Sequence, residues 1–179
     1  MKKILFSKEI ALVLVVLLAA TLSWAQGDKS KRPSPPATAK GKAAGANVSI
    51  DYSSPSVKGR KIWGELVPYN KFWRAGANEA TIFKTDKAVK IGDKTVPAGS
   101  YSLFMKPGEK EWTVVLNSQT GQWGIKQGGD ANFDPAKNVA EVTVTPGKAP
   151  KMTERLMYEV TGTGFDLVWE NMKVSVPVK

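Results

Sequence analysis

The side chains best suited to binding or catalysis are concentrated in one segment of the chain, residues 60–83. This segment supplies aromatic rings, a cation, an amide and a carboxylate: Trp63, Trp73, Arg74, Asn78 and Glu79. Aromatic faces with a few hydrogen-bonding groups suit saccharides and similar small ligands. The same aromatics can instead plug one end of a β-sandwich, because large aromatic side chains are common in small cores. Trp123 is open to both interpretations and completes the candidate ligand-binding set.

Trp73 and Arg74 are predicted to have different roles. Successive side chains of an extended chain point to opposite sides. We therefore expect Trp73 to be largely buried and Arg74 to lie on the other side. There, Arg74 belongs either to a ligand cleft or to a buried ion pair.

Catalysis in this chain would depend on carboxylates. The sequence contains no His and no Cys, which excludes Ser-His-Asp and Cys-His nucleophile systems and any zinc or copper site built from imidazole or thiolate. Glu65, Glu79 and Glu170 all lie near aromatics in the sequence. Two carboxylates that flank a sugar bond suffice for glycoside hydrolysis, but the spacing brings no pair together. The catalytic residues are thus unknown.

Residues 128–141 resemble a calcium-binding loop only in part. Asp130, Asn132 and Asp134 alternate as such ligands do, and Glu141 stands at the twelfth position. The sixth position, which requires Gly for a sharp turn, holds Pro135. The pattern therefore favours a polar loop, and we predict neither a metal site nor a cofactor.

The first 25 residues have the features of a secretory signal peptide. Residues 10–20 form an apolar run that is too short to span a bilayer, and Lys2 and Lys3 precede it. Ser23 and Ala25 are the small residues expected before a cleavage site. We predict cleavage after Ala25, a periplasmic or secreted protein, and no membrane span after cleavage.

The remaining chain divides into a leader and one domain. Residues 26–35 are rich in Pro, Ser and Lys and predict a flexible leader, and residues 36–179 predict a single domain. The whole chain has a net charge of +10, but its lysines are scattered through the predicted strands and turns. This distribution favours solubility, and we expect no nucleic-acid partner.

Alternating apolar residues indicate strands throughout the domain, and no window predicts an amphipathic helix. Residues 101–105 and 112–116, joined by a Pro-Gly turn, predict a hairpin. The sequence predicts an all-β fold, a single antiparallel β-sandwich or flattened barrel of about eight to ten short strands. The inward positions begin with Val48, Ile50 and Tyr52 and end with Val174, Val176 and Val178.

Four segments resemble the domain of unknown function 2911 family, a family of secreted bacterial domains common in the Bacteroidetes. They are RPSPPATA (32–39), IDYSSPSVKGRKIWGELVPYNKFWRAGANEAT (50–81), VPAGSYSLFMKPGEKEWTVVLN (96–117) and LVWENMKVSVPV (167–178). Residues 59–81 follow the family's core motif closely, except that Asn70 stands where members often carry Gly. The resemblance implies an exported, single, mostly-β domain and implies no activity.

These observations favour an exported, non-catalytic domain that binds a small or saccharide-like ligand or an envelope partner. A His-free, glycosidase-like carboxylate hydrolase is the first alternative. A structural envelope protein is the second. A cleft that contains Trp73, Arg74 and Glu79 together would favour binding or catalysis, whereas burial of the three in mutual contact would favour a structural role.

Overall fold

The computed structural model describes residues 28–179, so the predicted signal peptide and the first leader residues lie outside the described part. The chain divides into two units at Arg32. Of the first unit, residues 28–32 are described. They contain one 3-10 turn, Lys29–Lys31, whose N-terminus is capped by the side chain of Asp28. The second unit, residues 33–179, is an all-β domain, and no helix in the described residues is long and apolar enough to cross a membrane.

Ten strands build the domain. They are β1 Pro36–Ala43, β2 Ala46–Ser53, β3 Thr81–Thr85, β4 Val89–Ile91, β5 Lys94–Val96, β6 Gly99–Lys106, β7 Trp112–Asn117, β8 Asn138–Val144, β9 Gly147–Thr161 and β10 Gly164–Pro177. A single 3-10 turn, Pro135–Lys137, precedes β8.

Six strands form one antiparallel sheet in the order β1-β2-β3-β6-β7-β8. The β9–β10 and β4–β5 hairpins lie against its inner face and share one hydrophobic core with it. Backbone hydrogen bonds join these pieces: Leu156 N donates to Pro55 O at 2.9 Å, and Lys90 N donates to Lys179 O at 2.6 Å. The fold is thus the all-β antiparallel architecture that the sequence predicts.

The predicted inward faces are confirmed, although Tyr52 is only partly buried. Residues at alternate positions of the predicted strands are buried in the shared core because each strand has one face toward the facing layer. They include Val48, Ile50, Tyr101, Leu103, Met105, Trp112, Val114, Leu116, Phe165, Leu167, Trp169, Val174, Val176 and Val178.

Strand β10 departs from the prediction of short separate strands. It is 14 residues long, and its pairing with β9 shifts register on both sides of Glu170. Glu170 has a φ of 55°, and Val178 N donates to Thr163 O at 2.9 Å, so the second half of the strand folds back beside the first. The buried positions change from odd to even numbers across Glu170, and this bend accounts for the change.

An ion pair links the two halves of β10. Lys173 Nζ lies 2.8 Å from Asp166 Oδ2, and Asp166 is buried. The hydrogen bond to Asp166 and its negative charge raise the pKa of Lys173. A raised folded pKa means that the pair stabilises the fold fully below the unfolded lysine pKa of about 10.4, and that this stabilisation is lost as the pH rises through the folded pKa.

We therefore expect the stability difference between wild type and Lys173→Met to be constant from neutral pH to about pH 9 and to shrink above about pH 10.4. Urea denaturation at a series of pH values measures it. Lys151→Met, at an exposed position of β9, is the control and should show no such trend. A Lys173→Met difference that grows above pH 10.4 would contradict the assignment.

Candidate functional site

The tryptophans of the predicted set are divided between the core, which contains Trp63 and Trp73, and the surface, which carries Trp123. Trp63 is 7% exposed and lies at the centre of an aromatic cluster. Its ring centroid is 4.9 Å from that of Trp112, 5.7 Å from Trp169 and 6.0 Å from Trp73. Trp73 stacks on Trp169 with an interplanar angle of 17°. Both predicted rings therefore pack in the core, although Trp73 is partly rather than largely buried.

The loop that carries Arg74 is fixed from inside the domain. The indole N–H of Trp73 donates to Gly76 O at 3.0 Å. The carbonyl oxygen of Ala75 accepts from Tyr158 Oη at 2.8 Å and from Thr81 Oγ1 at 3.1 Å. Burial raises the pKa of Tyr158 well above its usual value, so this hydroxyl stays a donor. The loop is thus anchored at consecutive residues and holds Arg74 in a defined position.

The ring of Trp73 packs on Trp63 and Trp169, and Arg74 has different neighbours. The Arg74 side chain covers Gly124: a Cβ at that glycine would overlap Arg74 Cδ and lie 2.8 Å from Arg74 Cβ. No ion pair joins Arg74 to a residue in the described range, and its buried Nε has no acceptor there. Burial lowers the pKa of the guanidinium. The buried ion pair considered from the sequence is therefore not formed with any residue from 28 to 179.

Three further residues of the predicted set lie near Arg74. Glu79 and Trp123 form an isolated antiparallel bridge, and Gly124 N donates to Asn78 O at 3.0 Å. The side-chain amide of Asn78 donates to Ser34 O at 3.0 Å. Trp123 is 48% exposed. We call Arg74, Asn78, Glu79 and Trp123 the Trp123 surface; it contains four of the six predicted residues, without Trp63 and Trp73.

Two adjoining grooves lie at the end of the sandwich where β6 turns into β7 and β8 connects to β9. The first, of about 690 Å³, is lined by Tyr69, Asn70, Gly108, Glu109, Lys110, Glu111 and Thr145. The second, of about 600 Å³, is lined by Trp63, Glu109, Pro146, Gly147, Lys148, Ala149, Glu170, Asn171 and Met172. They share Glu109 and meet at the 145–146 peptide. We call the two together the end groove.

Two features of the end groove lower the stability of the folded state. Glu170 adopts a φ of 55°, a left-handed conformation that is uncommon for residues other than Gly and Asn. The indole N–H of Trp63 is buried and has no acceptor among the described residues. Backbone strain and unsatisfied donors each oppose folding and are concentrated at functional sites. Glu109 and Lys148 are not among the site residues predicted from the sequence, and Glu170 is predicted there only as a carboxylate.

The partial calcium motif forms a locally bonded loop. Asp134 accepts from Ala136 N at 3.0 Å and caps the Pro135–Lys137 turn. The amide of Asn132 donates to Trp123 O at 2.9 Å, and Glu141 is exposed on β8. Within residues 28–179 no group of three or more acidic side chains is placed to hold a metal ion.

The fold places the chain among all-β domains built on one main antiparallel sheet with smaller sheets packed against it. Within that class, the chain belongs to the family described as "Protein of unknown function (DUF2911)", whose model matches residues 34–178. No curated protein and no solved structure matches the chain. The family resemblance seen in the sequence is therefore confirmed.

Proposed function

We propose that this chain is an exported, non-catalytic domain that binds a saccharide-like ligand in the end groove. The observation that carries the proposal is the combination of a concave groove with two costly features at its lining, the strained Glu170 and the unsatisfied indole of Trp63. Each half of the groove has a volume in the range of small-molecule sites. The apolar run of residues 10–20 and the small residues before position 26 support export.

The chemistry of the lining suits a polyhydroxylated ligand. Glu109 and Glu170 offer carboxylate acceptors, and Lys148 and Asn171 offer donors. Sugar hydroxyls both donate and accept, so they can bond to all four side chains. Met172 adds an apolar contact for the C–H groups of a sugar ring. Because the two grooves adjoin, we propose that the ligand is an oligosaccharide rather than a single sugar.

Isothermal titration of the mature protein with cell-wall fragments and neutral oligosaccharides tests this proposal. We expect Glu109→Gln and Glu170→Asn to weaken binding about tenfold each, because a hydrogen bond from a hydroxyl to a charged group contributes about 1.5–3 kcal/mol. Glu170→Asn removes the carboxylate but keeps a residue that tolerates positive φ. It should fold at least as stably as wild type, so a loss of binding is not a loss of fold.

Glu141→Gln is the matched control, because Glu141 is exposed on β8 and does not line the end groove. It should bind like wild type. If no oligosaccharide of the panel binds, or if all three variants bind equally well, the proposal is wrong. The first result would favour a structural role or an envelope protein as partner.

A carboxylate-dependent hydrolase is the second candidate, and one observation favours it. Glu109 and Glu170 line the same groove, as a pair of catalytic carboxylates must. The release of reducing ends from the bound oligosaccharide distinguishes the two functions. Release that disappears in both Glu109→Gln and Glu170→Asn would establish hydrolysis, and stable binding without release would establish the non-catalytic domain.

A further inference from the structure

Arg74 is half-buried, and its surroundings are the second feature of this structure that points to a ligand. Arg74 forms no ion pair with any residue from 28 to 179, its Nε has no acceptor there, and burial lowers its pKa. A guanidinium that is partly removed from water without a counter-charge destabilises the fold unless an anion binds to it.

The local backbone is shaped to hold Arg74 in this position. A side chain at position 124 is disfavoured, because a Cβ there would lie 2.8 Å from Arg74 Cβ and 2.9 Å from the backbone oxygen of Asn78. Gly124 is fixed on both sides: its N–H donates to Asn78 O at 3.0 Å, and its carbonyl accepts from Asn132 N at 3.0 Å. Ala75 and Asn78 both have positive φ, of 53° and 59°. Several residues of the surrounding backbone therefore hold Arg74 in this position.

An exposed tryptophan directly precedes the glycine that Arg74 covers. Trp123 precedes Gly124, is 48% exposed, and has its carbonyl held by the amide of Asn132 at 2.9 Å. An exposed aromatic ring on a fixed backbone offers an apolar face to a sugar ring at little entropic cost. Arg74 offers N–H groups that suit a carboxylate.

We propose that Arg74 and Trp123 form a second binding site on the Trp123 surface, specific for acidic saccharides that carry carboxylates, such as uronic acids. The sugar ring packs on Trp123, and its carboxylate accepts hydrogen bonds from Arg74. The site shares no lining residue with the end groove, so it does not depend on the function proposed for that groove. The positive net charge of the chain favours the approach of such a ligand.

The test compares two probes that differ only at C6: the β-1,4-linked trisaccharide of glucuronic acid and cellotriose. Isothermal titration at low salt should show that wild type binds the acidic probe at least about tenfold more tightly than the neutral one, with a preference that weakens at high salt. Glu141→Gln, an exposed substitution on β8 outside both sites, should keep the preference. If the probe instead binds in the end groove, Glu170→Asn will change its affinity, which overturns the assignment.

Arg74→Met is the decisive variant, because it keeps most of the aliphatic packing over Gly124 and removes the charge. It should abolish the preference for the acidic probe while the thermal unfolding curve stays that of a folded protein. Trp123→Ala should weaken the binding of the acidic probe without unfolding the domain. Equal binding of both probes by wild type, or a preference that survives in Arg74→Met, would overturn the proposal.

Discussion

Trp63→Ala is expected to lower the free energy of unfolding by about 3–5 kcal/mol, the range for removal of a large aromatic from a core. Trp63 contacts Trp73, Trp112 and Trp169, so its removal leaves a cavity bordered by three rigid rings. Rings of this size cannot collapse into the space without leaving their rotamers, and the cavity therefore persists. Guanidinium denaturation followed by far-UV circular dichroism measures the change.

Trp123→Ala is the matched control for this experiment, since it makes the same substitution at a tryptophan that is 48% exposed. It should change the free energy of unfolding by less than about 1 kcal/mol, as surface substitutions usually do. Trp73→Ala should lie between the two, because Trp73 is partly buried but stacks on Trp169 and donates to Gly76 O. If Trp63→Ala is as mild as Trp123→Ala, residues 60–83 do not form part of the core in the way described.

The expected destabilisation of Trp63→Ala also bears on function. A destabilised Trp63→Ala shows that Trp63 supports the wall of the end groove by packing, not by offering a free ring to a ligand. Binding experiments on the end groove should therefore rely on Glu109 and Glu170, whose side chains can be changed without opening the core.

The sequence predicts the sheets well because their signal is local. In β6, β7 and β8, inward positions alternate with outward ones, and this alternation depends only on the pleat and on which face meets the core. Even the break in β10 is visible in the sequence. The apolar positions run through Leu167 and Trp169 and then through Val174 and Val176, and the change from odd to even numbers marks a break near Glu170, which fits two separate strands as well as one bent strand.

The candidate sites could not be predicted in the same way, because they depend on contacts between distant loops. Glu109 in the β6–β7 turn and Glu170 in β10 line one groove although they are far apart in the sequence. The contact of Arg74 with Gly124 likewise joins two loops that have no periodicity. The outer face of the sheet carries a second apolar cluster, Ala80, Phe104 and Phe133, which such loops cover and which alternation alone does not reveal.

Gly164→Ala is expected to lower the free energy of unfolding by about 2–3 kcal/mol, near the upper end of the usual cost of overpacking. A Cβ at position 164 would overlap the carbonyl oxygen of Val176 and lie 3.0 Å from its carbonyl carbon and 3.1 Å from Pro177 Cα. All three atoms belong to the backbone, so no rotamer change can relieve the clash. The two halves of β10 must separate instead.

That separation should also break the hydrogen bond from Val178 N to Thr163 O. This bond joins the residue before Gly164 to the residue after Pro177. Gly162→Ala is the matched control: no atom lies within 4 Å of its added Cβ. It should leave the free energy of unfolding within about 0.5 kcal/mol of wild type. Urea denaturation of both variants, with hydrogen exchange at Val178, tests the argument. Equal stability of the two would mean that the C-terminal half of β10 does not fold back against its beginning.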